Sequence, residues 1–317
     1  MQSLPVLSFS QIAAKNPATL DELKSILHHV GFFYLVDHGI EKQTMRELFH
    51  ITQNFFLLPD LQKEQISIYK SKNYRGYSSI GAEKTQGQAD FKETLDLGLE
   101  SPSVAYEQSF HCLIGPNQWP TATALCGMKT FLCEYMNSLL ILGDCLMEAI
   151  ALSLKLPESY FKNNFTKDRY ALMRLIHYMG QSDGVRKIGV GEHTDFGCLV
   201  MLLQDEVGGL EVQLASGEWI AAPPLAGSLI INIGDMLALW TRNYFKATPH
   251  RVINASTKDR YSIPFFYEPS LETKVKPAHL AWLPEDFNQE LKNSQRVYGE
   301  HMLAAFKRSF PEHPQSH

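Results

Sequence analysis

Residues 170–179 read YALMRLIHYM, and the fold turns on how that run is taken. It is short and mostly apolar, the first of several such runs that alternate with turn signals, so the segment predicts a strand. Similar runs follow at DFGCLVMLLQ (195–204), LEVQLASGEWIAAP (210–223), GSLIINIGDMLALW (227–240), HRVINAS (250–256) and YSIPFFYEP (261–269), divided by turn residues. Many short strands within roughly a hundred residues predict a sandwich or barrel of the jelly-roll kind.

Upstream the pattern is helical. In ATLDELKSILHHV (18–30), Leu20, Leu23, Ile26, Leu27 and Val30 recur at helical spacing with Thr19 as a cap. The strand-like GFFYLVDHGI (31–40) follows, then a helix over KQTMRELFHITQNFFLLP that Pro59 ends. From Thr123 to Leu156 the chain is helical and apolar on several sides, hence buried against a sheet. The tail FNQELKNSQRVYGEHMLAAFKRSF (287–310) returns to helical spacing, with Val297, His301, Ala304 and Ala305 available for packing. The expected class is α+β with a mainly β core. One domain over 1–317 is expected, made of a mixed region with a helical front (1–122), core helices (123–167), a jelly roll (168–270) and a helical tail (271–317).

Composition narrows the function. The 317 residues carry 29 Lys plus Arg against 34 Asp plus Glu, a net charge of -5 with no basic block to follow a phosphate backbone, so nucleic acid is not an expected partner. No run approaches the roughly 18 continuous apolar residues that span a bilayer, so no membrane association is expected. The start, MQSLPVLSFSQIAAKNPATL, lacks the basic and long apolar regions of a secretory signal. Five scattered cysteines, Cys112, Cys126, Cys133, Cys145 and Cys198, form no C-x-x-C pair and suggest reduced core fillers in a cytoplasmic protein.

Within GEHTDFGCLV (191–200), His193 and Asp195 stand two apart. On a strand they would share one face, and an ionised carboxylate there needs a positive charge to offset its burial. His250, in TPHRVIN, is a third donor. Two imidazoles and one carboxylate on one face of an octahedron are the ligand set of non-haem iron(II) oxygenases, making these three the candidate catalytic metal ligands. The alternative is a pair of hydrogen-bonded core histidines and an Asp195 that caps a turn before Gly197. In DRYSIPFFYEP (259–269), Arg260 and Ser262 also share a face, the arginine offering a planar fork for a carboxylate. Taken alone, these two also fit a surface arginine beside a strand serine.

Together the H-x-D, the distal histidine and the R-x-S resemble the iron(II)/2-oxoglutarate-dependent dioxygenases, in their isopenicillin N synthase-like branch. GFFYLVDHGI, YRGYSS (74–79), FKETLDLG (91–98), GPNQWP (115–120), NIGDML (232–237) and YGEHMLAAFKRSF (298–310) extend the likeness nearly end to end. The resemblance implies a double-stranded β-helix holding Fe(II) at His193, Asp195 and His250. It implies 2-oxoglutarate anchored by Arg260 and Ser262 with Tyr178 beside it, O2 as oxidant and ascorbate as an accessory reductant. Plant relatives carry Asn-Tyr-Tyr-Pro where this chain has Ile176, His177, Tyr178 and Met179, which removes one hydrogen bond to the co-substrate. His177 turns to the opposite face and is not counted as a ligand.

The resemblance further implies decarboxylation of 2-oxoglutarate to succinate coupled to oxidation, normally hydroxylation, of a small molecule. The polar segment 70–93 lies where relatives bring substrate over the metal, so Arg75 and Tyr77 are the expected substrate contacts, against a solvated loop as the alternative. Phe265, Phe266 and Tyr267 offer pocket walls or core. Two other readings stand beside this one: an oxidase of the same fold that uses no 2-oxoglutarate, and a catalytically silent metal-binding jelly roll. Oligomeric state is not written in the sequence.

Overall fold

The computed structural model describes residues 3–102, 109–181, 187–283 and 295–316. An eight-stranded sheet runs in the order Val6–Ser8, Phe32–Val36, Leu229–Ile233, Leu199–Gln204, Arg260–Tyr267, Ala171–Tyr178, Glu93–Gly98, Gly76–Ser78. A four-stranded sheet runs Trp219–Ala221, Leu210–Gln213, His250–Asn254, Lys187–His193. Apart from the first pair, which is parallel, the pairings within both sheets are antiparallel. This is the expected jelly roll, with helices packed outside it.

The front half is less helical than its periodicity suggests. It supplies four strands of the large sheet, at Val6, Phe32, Gly76 and Glu93, alongside the helices Pro17–His29 and Lys42–Phe56. Strands of three residues carry too little alternation to announce themselves, and pairing with a neighbour decides them. Asn16, not Thr19, caps the first long helix: its Oδ1 accepts from the backbone of Ala18 (3.0 Å) and Thr19 (3.3 Å), with Pro17 in the first turn. GSLIINIGDMLALW divides into a strand ending at Ile233 and a helix, Asp235–Trp240, because Gly234 lets the chain turn against Gly197.

The long helix is Met128–Ser153, and the stretch Thr123–Ser153 passes by length and composition for a membrane span, with mean hydropathy 1.4 over an 18-residue window. Its apolar side chains pack into the core instead, against the back of the large sheet, where Gly143 meets Tyr267. The closing helix is Tyr298–Ser309 and buries Tyr298, Met302, Leu303, Ala305 and Phe306. Of the four packing positions expected there, only Ala305 is fully buried; Val297 sits in a two-residue strand and Ala304 faces solvent. Residues 287–294 of the expected tail helix lie outside the described residues.

Candidate metal centre and co-substrate pocket

His193 closes one strand of the small sheet and His250 opens its antiparallel neighbour, with their Cα atoms directly paired. Paired residues in an antiparallel ladder project to the same side, and the two ring centroids stand 4.2 Å apart. Each ring is oriented the same way: Nδ1 contacts the carbonyl two residues back, Gly191 at 2.8 Å and Thr248 at 3.1 Å. A carbonyl can only accept, so Nδ1 carries the proton and each Nε2 is left as a free lone pair. Burial and the neighbouring His250 push the His193 pKa down to about 4, which keeps that ring neutral.

Asp195 does not reach the site by strand alternation as expected. The strand ends at His193 and Asp195 lies in the following turn. That turn is fixed from three sides. Asp235 N–H donates to the Asp195 carbonyl at 2.7 Å, Met236 N–H to Gly197 O at 3.0 Å, and Cys198 N–H to Glu268 Oε2 at 3.1 Å. Gly197 leaves no room for a side chain, since a β-carbon would stand 1.1 Å from Glu268 Oε2. The carboxylate then lies 3.8 Å from His193 Nε2 and 3.5 Å from His250 Nε2, and Asn232 Nδ2 donates to its Oδ2 at 2.6 Å. The three donor atoms all lie within 4.8 Å of one another. Two imidazole lone pairs and a buried carboxylate aimed at one point repel unless a cation stands among them, so the donor set fits a divalent metal ion.

From this triad a narrow cavity of about 80 Å³ runs between the sheets to Arg260. Arg260 and Ser262 share the inward face as alternation predicts, at 1% and 2% exposure. Tyr178 pairs across the strands with Arg260, its ring 4.7 Å from the guanidinium carbon. Gln204 Oε1 accepts from Arg260 Nη2 at 3.3 Å, but Arg260 Nε and Nη1 have no hydrogen-bond partner among the described residues. A fully buried guanidinium with two orphaned nitrogens beside a hydroxyl is shaped for a carboxylate. Ile176 stands opposite Ser262 in the same pocket, giving it an apolar wall where plant relatives place an amide.

A wider cavity of about 630 Å³ opens on the other side of His193 and Asp195. Its walls include Phe196, Phe266, Met302 and Phe306, with the short hairpin Lys84–Thr85/Gln88–Ala89 along one edge. Sequence reasoning missed its charged group. Arg174 grips Asp96 through both carboxylate oxygens (2.6 and 2.9 Å) and Glu83 at 2.8 Å, while Lys92 bonds Glu83 and Asp90, each at 2.9 Å. Arg174 could have been found, because it lies two and four residues before Ile176 and Tyr178 on one strand. Asn232 had a signal too, within NIGDML, but nothing local tells that its amide meets Asp195.

The structure places Arg75 and Tyr77 away from this cavity, correcting their expected substrate contact. Tyr77 is 3% exposed and its hydroxyl donates to Glu93 Oε2 at 2.6 Å. Arg75 borders a different cavity. Both belong to a part of the chain that joins the far edge of the large sheet, so of segment 70–93 only its later residues, Glu83 to Gly87 and Lys92, border the metal side. His177 faces away from the metal, with Nδ1 2.7 Å from Glu93 Oε1 and its ring stacked on Tyr261. Of the three aromatic residues at the end of the R-x-S strand, Phe266 lines the cavities, whereas Phe265 and Tyr267 are core.

Comparison with known proteins agrees with this geometry. Residues 4–122 match the model of the non-haem dioxygenase N-terminal region described from morphine synthesis, and residues 169–269 match that of the 2OG-Fe(II) oxygenase superfamily. A homoarginine-6-hydroxylase of Glycine max is 34% identical, with 97% of each chain covered. A 1-aminocyclopropane-1-carboxylate oxidase of Dictyostelium mucoroides is 31% identical, over 99% of this chain and 96% of the relative. The crystal structure of a full-length Neurospora crassa protein in complex with alpha-KG and thymine superposes with a TM-score of 0.81 at 27% identity, covering 96% of this chain and 97% of that one. With a relative as similar as the soybean hydroxylase along nearly the whole of both chains, the protein belongs to the 2OG-Fe(II) oxygenase family.

Proposed function

We propose that His193 Nε2, His250 Nε2 and an Asp195 oxygen hold the iron(II) of this oxygenase, and that Arg260 and Ser262 hold the far carboxylate of 2-oxoglutarate. The orphaned Nε and Nη1 of buried Arg260, facing the triad along one narrow cavity, carry this reading. When bound, iron(II), 2-oxoglutarate and O2 supply an oxidant able to break a substrate C–H bond, with succinate and carbon dioxide as by-products. The chain's own residues do the positioning. The Gly191 and Thr248 carbonyls fix the two histidine tautomers, Asn232 orients the carboxylate, and Tyr178 covers the Arg260 guanidinium. Ile176, Val190, Leu210 and Val252 keep water out of the co-substrate cavity.

The prime substrate is assigned to the wider cavity and to the cationic amino acids. Relatives from soybean, rice and Arabidopsis are named homoarginine-6-hydroxylases. The cavity also presents exposed Glu192 near the triad and exposed Arg308 on the closing helix, complements for a side-chain cation and an α-carboxylate. A cytoplasmic site of action fits the five free cysteines. The test is release of labelled carbon dioxide from 2-oxoglutarate by the purified enzyme with iron(II) and ascorbate, challenged with homoarginine, arginine, lysine and thymine. Stimulation by a basic amino acid that falls in Glu192→Gln supports the assignment. Stimulation by thymine alone overturns the substrate class, and release that persists unchanged in Arg260→Ala overturns the co-substrate assignment.

A further inference from the structure

Three stretches, YRGYSS, FKETLDLG and GPNQWP, converge on one side chain. Arg75 is 1% exposed, and its guanidinium lies against Gly98, where a β-carbon would stand 2.3 Å from Nη2 and 2.5 Å from Cζ and Nε. Gly98 is itself clamped by the Asn117 amide: its N–H donates to Oδ1 and its carbonyl accepts from Nδ2, both at 2.8 Å. Gln118 Nε2 donates to the Arg75 carbonyl at 2.8 Å, and the Arg75 N–H donates to Ser71 Oγ at 3.2 Å. These contacts fix where one guanidinium stands.

They do not neutralise it. Nη2 donates to Leu113 O at 3.0 Å and to the Tyr170 hydroxyl at 2.8 Å, Nη1 reaches Tyr74 O only at 3.5 Å, and Nε has no partner. Asp96 feels the charge, but Arg174 already grips both of its oxygens. Among the described residues this buried cation has no anion of its own, a costly arrangement unless a ligand supplies the negative charge. Beside it lies a cavity of about 470 Å³ that shares no lining residue with the two metal-side cavities. Ala171 borders it while the next residue, Leu172, faces the metal side, so the sheet divides the two spaces.

We propose that this cavity is a second binding site, for a small carboxylate with an apolar body. Arg75 supplies the charge and the Tyr170 hydroxyl, which accepts from Arg75, keeps its proton for the ligand; burial holds that phenol above its usual pKa. Arg169 joins them, with Nη2 3.0 Å from Asp144 and Nε unpartnered. Leu99, Ile114 and Leu271 form the apolar wall. Asp168 and Glu272 border the same space and select against a polyanion, leaving one negative charge as the fit.

The experiment uses the enzyme loaded with manganese(II) and saturating 2-oxoglutarate, titrated calorimetrically with hexanoate and with hexanamide. Arg75→Met risks misfolding, so the cavity is blocked from half-buried Ser101 by Ser101→Trp, with the melting curve as a control. Hexanoate is expected to bind at least about tenfold more tightly than the amide, to lose at least about tenfold in Ser101→Trp, and to stay within about twofold in Arg260→Ala. Equal affinity for acid and amide, no heat from hexanoate up to about 10 mM, or binding lost in Arg260→Ala but kept in Ser101→Trp overturns the proposal.

Discussion

Replacing Asn232 with leucine tests how the metal site is supported without touching a ligand. Asn232 is 3% exposed, sits mid-sheet with Val200 and Phe32 as cross-strand partners, and gives Asp195 Oδ2 a hydrogen bond of 2.6 Å. Leucine keeps the branch at Cγ and the number of side-chain heavy atoms but is bulkier and carries no polar atom. The variant therefore loses the donor to Asp195, and its folding is checked alongside its metal affinity. A hydrogen bond to a charged group contributes about 1.5–3 kcal/mol, which at about 1.4 kcal/mol per decade corresponds to roughly a 10- to 150-fold change in affinity. Outer contacts to metal ligands typically carry about 10- to 100-fold, so the two routes agree. Titration of the purified variant with manganese(II), followed by electron paramagnetic resonance, should show a dissociation constant raised at least about tenfold with an unchanged circular dichroism spectrum. A constant within about twofold of the parent, in a folded variant, would refute the view that Asn232 orients the carboxylate.

Arg260→Ala should raise the 2-oxoglutarate KM at least about 30-fold, the lower end of the 2–5 kcal/mol lost when one partner of a buried charge pair is removed, while manganese affinity measured without co-substrate stays near the parent value. Gly197→Ala should abolish metal binding or folding, since its β-carbon would stand 1.1 Å from Glu268 Oε2, whereas Gly217→Ala, which meets nothing within 4 Å, should bind metal normally despite some strain at φ +85°. Burial raises the Glu268 pKa from 4.5 to about 8. The folded state therefore holds this proton longer than the unfolded one, and the associated stability is present below about pH 4.5 and lost as pH rises through about 8. Urea unfolding at pH 5.5 and 8.5 should show a smaller loss in Glu268→Gln than in the parent, and an equal or larger loss counts against a neutral Glu268.

Local pattern was enough for much of this protein. The strands after Tyr170 follow from short apolar runs set off by turn residues, the helix from Met128 from a long run apolar on several sides, and the pairing of Arg260 with Ser262 on one face from period two within a single strand. His193 and His250 were legible as residue types at a suggestive spacing, and the antiparallel register that sets them opposite each other did the rest. Asp195 was named for a reason the structure replaces: its place is set by a turn that Gly197, Glu268 and the Gly234–Met236 backbone shape from remote parts of the chain. The same limit hid Asn232 and misplaced Arg75 and Tyr77, because short strands such as Gly76–Ser78 take their sheet position from partners far along the sequence. Periodicity assigns a residue to a face. Which space that face encloses, metal cavity or separate pocket, is decided by long-range strand pairing, whose energy resides in contacts that no short stretch of sequence contains.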